Sequence, residues 1–126
     1  PSLPAVALSV DTSTVTAVGN DYGFDDVFAR QVNGLGRPGD VLVAFSTSGN
    51  SANVVKAIEA AREARMAVIG LTGKGGGRMA SMCDYLFDVP HSHTPLIQEM
   101  HEAVMHLMCQ LIDHYLFENV QALRGA

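Results

Sequence analysis

Two stretches of this chain, Val41-Leu42-Val43-Ala44-Phe45 and Met66-Ala67-Val68-Ile69-Gly70-Leu71, are apolar without a break. A strand with one wet face alternates apolar and polar residues, so an unbroken run points to a strand buried on both faces, as in a parallel sheet covered by helices. Between the two runs, apolar residues recur at helical spacing from about Ala52 through Val55, Ile58, Ala61 and Ala64. Strand, helix and strand in that order predict parallel pairing through a right-handed crossover.

The same alternation extends in both directions. Pro4 to Val10 has the length and composition of a further strand, followed by Asp11-Thr12-Ser13-Thr14 as N-cap residues of a helix. Asn20-Asp21-Tyr22-Gly23 makes a turn, and Phe24, Val27, Phe28, Val32 and Leu35 repeat helically until Gly34 to Gly39 end the pattern. Beyond the second run come a loop at Lys74 to Gly77, a short helix at Gly77 to Met82 and a fourth strand at Tyr85 to Val89. One long helix then runs from about Pro95 to Phe117, with Ile97, Met100, Val104, Leu107, Met108, Leu111, Ile112 and Tyr115 on one stripe. The expected fold is α/β, a parallel-sheet α-β-α sandwich ending in that helix. It forms a single domain over 1–120, with a frayed tail at 121–126.

Composition narrows the function. The chain has 126 residues, 48% of them apolar and 17% charged, which suits one domain with a real core. Eight Lys and Arg against thirteen Asp and Glu leave a formal charge of −5, the wrong balance for a nucleic-acid binder that must neutralise backbone phosphates. No segment approaches the roughly 20 apolar residues of a membrane span, and Pro1-Ser2-Leu3-Pro4 lacks the basic start of a signal peptide. The chain therefore reads as soluble and cytoplasmic, with no nucleic-acid or membrane partner. Cys83 and Cys109 lack the spacing of a zinc or redox motif and read as reduced thiols.

The densest polar signal is Ser46-Thr47-Ser48-Gly49-Asn50-Ser51, placed between a buried strand and a helix. In open parallel sheets ligands gather at the carboxyl ends of the strands. A helix N-terminus there offers unpaired N–H groups and the positive end of the dipole. Ser46, Thr47, Ser48 and Ser51 add four hydroxyls, enough to surround a phosphate without a lysine. Capping by Ser51 accounts for one of these hydroxyls and leaves three. Two glycine patterns carry less. Gly34 to Gly39 matches GxGxxG but precedes a strand instead of following one, and Lys74 to Arg78 lacks phosphate-loop spacing and reads as a flexible βα loop.

On the last helix Gln98 and His106 are eight residues apart, which puts them about 80° apart around the axis and on one side. His101 falls at the edge of the apolar stripe and reads as a packed or interface residue instead of a catalytic one. Glu102, between them, reads as an ordinary i,i+4 neighbour. His106 could act as a proton shuttle or as a metal ligand near neutral pH.

Three segments together, Ser46 to Val54, Gly19-Asn20-Asp21-Tyr22-Gly23-Phe24 and Ile97-Gln98-Glu99-Met100-His101, resemble the sugar isomerase (SIS) family, over nearly the whole chain from Pro1 to Phe117. The resemblance is strongest to the branch that interconverts sedoheptulose 7-phosphate and D-glycero-D-manno-heptose 7-phosphate on the way to bacterial lipopolysaccharide heptose. It implies a flavodoxin-like, doubly wound SIS fold and an aldose–ketose isomerisation through an enediol. It also implies phosphate contacts from Ser46, Thr47, Ser48 and Ser51, and ligand contacts from Asp21 and Gln98. His106 is implied as the acid partner of a glutamate base, Gln98 and His106 as part of a zinc site with no organic cofactor, and a homotetramer with shared active sites as the assembly.

Two departures follow. The family's base and a second histidine accompany a Gly-Asn-Gly-Gly-Ser loop that this sequence does not contain, so the chain reads as a domain without its opening segment. Taken by itself it is expected not to isomerise efficiently, because losing a general base costs about 10²–10⁴-fold. Pro95-Leu96 also stands where relatives carry a polar or basic residue. An alternative from another class stays open, a SIS-fold adaptor that binds the bacterial replication initiator. It shares the Ile-Gln-Glu-Met-His run but differs at the positions of His106 and Ser48.

Overall fold

The computed structural model describes residues 2–118; the tail expected at 121–126 lies outside them. The chain forms α1 (Thr12–Asp21), a 3₁₀ turn at Phe24–Asp26, α2 (Ala29–Leu35), β1 (Val41–Ser46), α3 (Ala52–Glu63) and β2 (Ala67–Thr72). A second 3₁₀ turn at Gly77–Ser81, β3 (Tyr85–Asp88), α4 (Thr94–Asp113) and a closing π-helical turn at His114–Glu118 complete it. The strands form one parallel sheet in the order β1-β2-β3, with Ser46 opposite Thr72 and Thr72 opposite Asp88.

Helices lie on both faces of this sheet. Ala44 and Val68 join α2 and α3 through Val32, Val55, Ile58 and Ala61. Alanines at 57, 60 and 61 keep that face of α3 low, so the helix sits close to the strands. On the other face Phe45 meets His101 of α4 edge to face, at 6.0 Å between ring centres. The strand-helix-strand pattern read from the two apolar runs is the observed one, as is the N-cap of α1. There the Asp11 carboxylate accepts from the Thr14 hydroxyl and from the Ser13 and Thr14 N–H groups at 3.1 and 3.2 Å; the Thr14 hydroxyl first, then the backbone bonds, hold its pKa below the usual carboxylate value.

Three expectations change. Residues 4–10 form no strand; they run as irregular chain into a turn in which Val10 N donates to Ala7 O at 3.4 Å. A strand needs a neighbour to complete its hydrogen bonds, and among the described residues the segment is hydrogen-bonded to the rest of the chain at Leu8, whose carbonyl accepts from Gln31 Nε2 at 2.8 Å. Between residues 3–9 and β1 lies an apolar groove of about 1290 Å³. The helix expected at 24–35 is split at Val27 and Phe28, and fully buried Val27 packs between the two pieces. The stripe on α4 is covered only near its start. Ile97 and His101 are buried, while Met100, Leu107, Leu111 and Ile112 are exposed.

Candidate functional site

β1 ends in Ser46 and α3 begins at Ala52, so the serine-rich turn sits at the carboxyl end of the sheet, where an open parallel fold collects ligands. Gly49 closes the turn with φ +65°, and its N–H donates to Ser46 O at 2.9 Å. The hydroxyls form a connected group. Ser46 Oγ lies 2.8 Å from Ser51 Oγ and 3.4 Å from Ser48 Oγ, and Ser48 Oγ accepts from Asn50 N at 3.1 Å. Ser51 holds the N-cap position of α3, yet its side chain makes no capping bond. The capping explanation therefore fails for the very hydroxyl it suited best, and Ser51 turns toward Ser46 instead.

A concavity of about 440 Å³ opens beside this turn, lined by Phe45, Ser46, Thr47, Ser51, Gln98, His101, Glu102 and Met105. Among the described residues no lysine or arginine lines it. An anion here would be held by hydroxyl donors and by the positive end of α3, in the way that helix N-termini bind phosphate. α4 supplies the opposite wall. Its Gln98 lines the opening together with the turn, and His101 is buried with Nε2 2.9 Å from the Thr72 carbonyl. His101 is thus a packed residue, as its place on the stripe predicted.

Of the sequence candidates, Ser46, Thr47, Ser51 and Gln98 meet at this concavity, with Ser48 joined to them through Ser46. Two do not reach it. Asp21 lies exposed at the end of α1, accepting from Asn20 Nδ2 at 2.8 Å, and His106 is exposed two turns beyond Gln98. Glu102, Phe45 and Met105 line the concavity without having been singled out for it. Glu102 had a readable signal, one helical turn from Gln98 on the same side; Phe45 and Met105 look in sequence like any core residue.

The loop after β2 is hydrogen-bonded to the serine turn. Gly73 N donates to Thr47 O at 3.0 Å, Met79 N to Gly49 O at 3.1 Å and Arg78 N to Asn50 Oδ1 at 2.9 Å. Among the described residues no group of three or more His, Cys, Asp or Glu could hold a metal ion, and no helix is long and apolar enough to cross a membrane.

Residues 1–73, more than half the chain, match the SIS domain family. The chain belongs to the SIS domain family. A phosphoheptose isomerase of Nitratidesulfovibrio vulgaris (strain DSM 19637 / Miyazaki F) is 61% identical to this SIS domain chain over 124 residues, 98% of the chain and 60% of the relative. One from Rhodospirillum rubrum is 66% identical over 114 residues, 90% of the chain and 61% of the relative. The solved phosphoheptose isomerase from Neisseria gonorrhoeae superposes with a TM-score of 0.84 at 58% identity, covering 86% of this chain and 61% of that one. The Francisella tularensis structure gives 0.88 at 44% identity, covering 90% and 61%. This SIS domain chain spans about 60% of the length of the relatives it matches.

Proposed function

We propose that the chain carries the phosphate-binding part of a phosphoheptose isomerase, which interconverts sedoheptulose 7-phosphate and D-glycero-D-manno-heptose 7-phosphate in bacterial heptose biosynthesis. The observation that carries this reading is the uncapped Ser51 hydroxyl, joined with Ser46 and Ser48 into a donor group at the N-terminus of α3. Relatives between 52% and 66% identical that bear this enzyme's name support it. They also favour it over the adaptor reading.

In this reading the phosphate sits on Ser46, Thr47, Ser48 and Ser51, which fixes the far end of the sugar. The sugar then extends along the concavity toward α4, where the Gln98 amide can hydrogen-bond a substrate oxygen. Isomerisation removes a proton from the carbon beside the carbonyl, passes through an enediol and returns the proton to the neighbouring carbon. His106 is the proposed proton-donating partner and Asp21 a proposed contact to the bound sugar. Both are exposed, which suits a site completed from outside the described residues.

The zinc site implied by the resemblance would draw on Gln98 and His106. Two ligands fall short of the three or four that protein zinc sites take, so the residues present do not fit a metal by themselves and no step above runs through one. We further propose a homotetramer with shared active sites, supported by the exposed apolar residues Met100, Leu107, Leu111 and Ile112 on α4.

The test is turnover of sedoheptulose 7-phosphate by the product of the complete coding sequence, with and without added zinc. Isomerisation supports the reading; a folded product that binds no phosphosugar overturns it.

A further inference from the structure

The loop from Gly73 to Arg78 and the serine turn meet so closely that each shapes the other. A Cβ at Gly49 would overlap the carbonyl of Gly76, and one at Gly77 would lie 2.5 Å from Ser48 O and 2.8 Å from the Asn50 amide. Asn50 bridges the two segments. Its Nδ2 donates to Ser48 O at 2.9 Å within the turn, while its Oδ1 accepts from Arg78 N at 2.9 Å across the gap. With the Gly73 and Met79 N–H groups on the carbonyls of Thr47 and Gly49, three successive backbone acceptors of the turn are each satisfied by a donor.

We propose that this loop is a clamp that shapes the turn for an anion, and that Asn50 is its positioning residue. The physical reason is electrostatic. A bare carbonyl oxygen near a phosphate repels it, whereas a carbonyl already holding a donor presents less negative potential and cannot swing toward the ligand. Holding the carbonyls of Thr47, Ser48 and Gly49 fixes the backbone that carries the hydroxyls of Thr47 and Ser48. Preorganised donors bind without a further ordering cost. All three glycines at 75–77 have positive φ, and Gly76 and Gly77 are also held by close approach, which explains a glycine run with no phosphate-loop spacing.

This inference rests on the reading that the turn binds phosphate, and the test separates the two. Inorganic phosphate is titrated calorimetrically into the product of the complete coding sequence, as wild type, Asn50→Ala and Asn50→Asp, with thermal melts and sugar-phosphate kinetics alongside. Asn50→Ala should weaken phosphate binding and raise KM about tenfold, the worth of one to two hydrogen bonds, with kcat little changed. Asn50→Asp keeps an acceptor for Arg78 N but sets a carboxylate oxygen where Nδ2 donated to Ser48 O, so its melting temperature should fall about as far as that of the alanine variant. Its added charge should weaken phosphate at least as much as the alanine does. Phosphate affinity within twofold of wild type in both variants would overturn the clamp. A wild type that binds no inorganic phosphate would overturn the reading of the turn, and the clamp with it.

Discussion

β1 and β2 are written in the same apolar alphabet, yet they end in different surroundings. Val68 and Leu71 of β2 are 0% exposed, whereas Val41, Val43 and Phe45 of β1 are 53%, 38% and 41% exposed. β2 lies between two strands with helices on both faces; β1 is an edge with the apolar groove beside it. At their carboxyl ends the contrast reverses in kind, because the turn after β1 is tied down by the loop after β2 through bonds to the carbonyls of Thr47 and Gly49 and to the Asn50 side chain. The chain thus holds an organised polar site next to an apolar flank that nothing among the described residues covers. An unbroken apolar run reports where a strand is to be buried, and a large bare patch is the usual sign of a surface that another element or copy covers.

The contrast between the strands can be broken by truncation. Leu71→Ala should cost about 2–5 kcal/mol of stability, as for large-to-small changes at fully buried sites, while Val43→Ala should cost less than about 1 kcal/mol. Urea denaturation of both variants measures the difference. Equal losses would show that β1 is buried in solution by a partner element or copy. Ser51→Ala probes the polar site and should lose about 1.5–3 kcal/mol of phosphosugar binding, the worth of a hydrogen bond to a charged group, with little change in the melt. Thr72→Val is expected to go the other way. Thr72 is fully buried and its hydroxyl has no partner among the described residues, so an apolar replacement of the same shape should be neutral or stabilising by up to about 1 kcal/mol in thermal unfolding. A clear loss would mean that the hydroxyl holds a water or a ligand atom.

The smallest effect concerns the thiols. Burial raises the Cys83 pKa above that of an ordinary thiol, with Asp84 adding to it, so less of it is thiolate at pH 8 and alkylation should be slow, rising as the pH is raised. Cys109 is exposed on α4 beside the groove and should label first. Protection of Cys109 at high protein concentration would sharpen the comparison by placing a second copy on that flank.

Much of this was legible in the residues. The helix periods of α3 and α4, the two apolar strand runs, the Asp11 cap and the hydroxyl turn each depend on local chemistry or on spacing, which sequence carries directly; the burial of β1 on both faces does not hold among the described residues, where Val41, Val43 and Phe45 are exposed. Residues 4–10 misled because a run of strand composition becomes a strand only beside a partner. The bonds that the Lys74 to Arg78 loop makes were hidden for the opposite reason. Its glycines signal freedom in isolation, while the constraint comes from Ser48, Gly49 and Asn50, some 25 residues away in the chain. Helix geometry put Gln98 and His106 on one side of α4, and only Gln98 lines the concavity, since eight residues span about 12 Å along the axis.

The most direct test of the account is calorimetric titration of the product of the complete coding sequence with sedoheptulose 7-phosphate and with unphosphorylated sedoheptulose, each against wild type and Ser51→Ala. The account predicts that wild type binds the phosphorylated sugar far more tightly than the free sugar, and that Ser51→Ala loses about tenfold or more of that preference. Equal binding of the two sugars, or a preference untouched by the substitution, would contradict it.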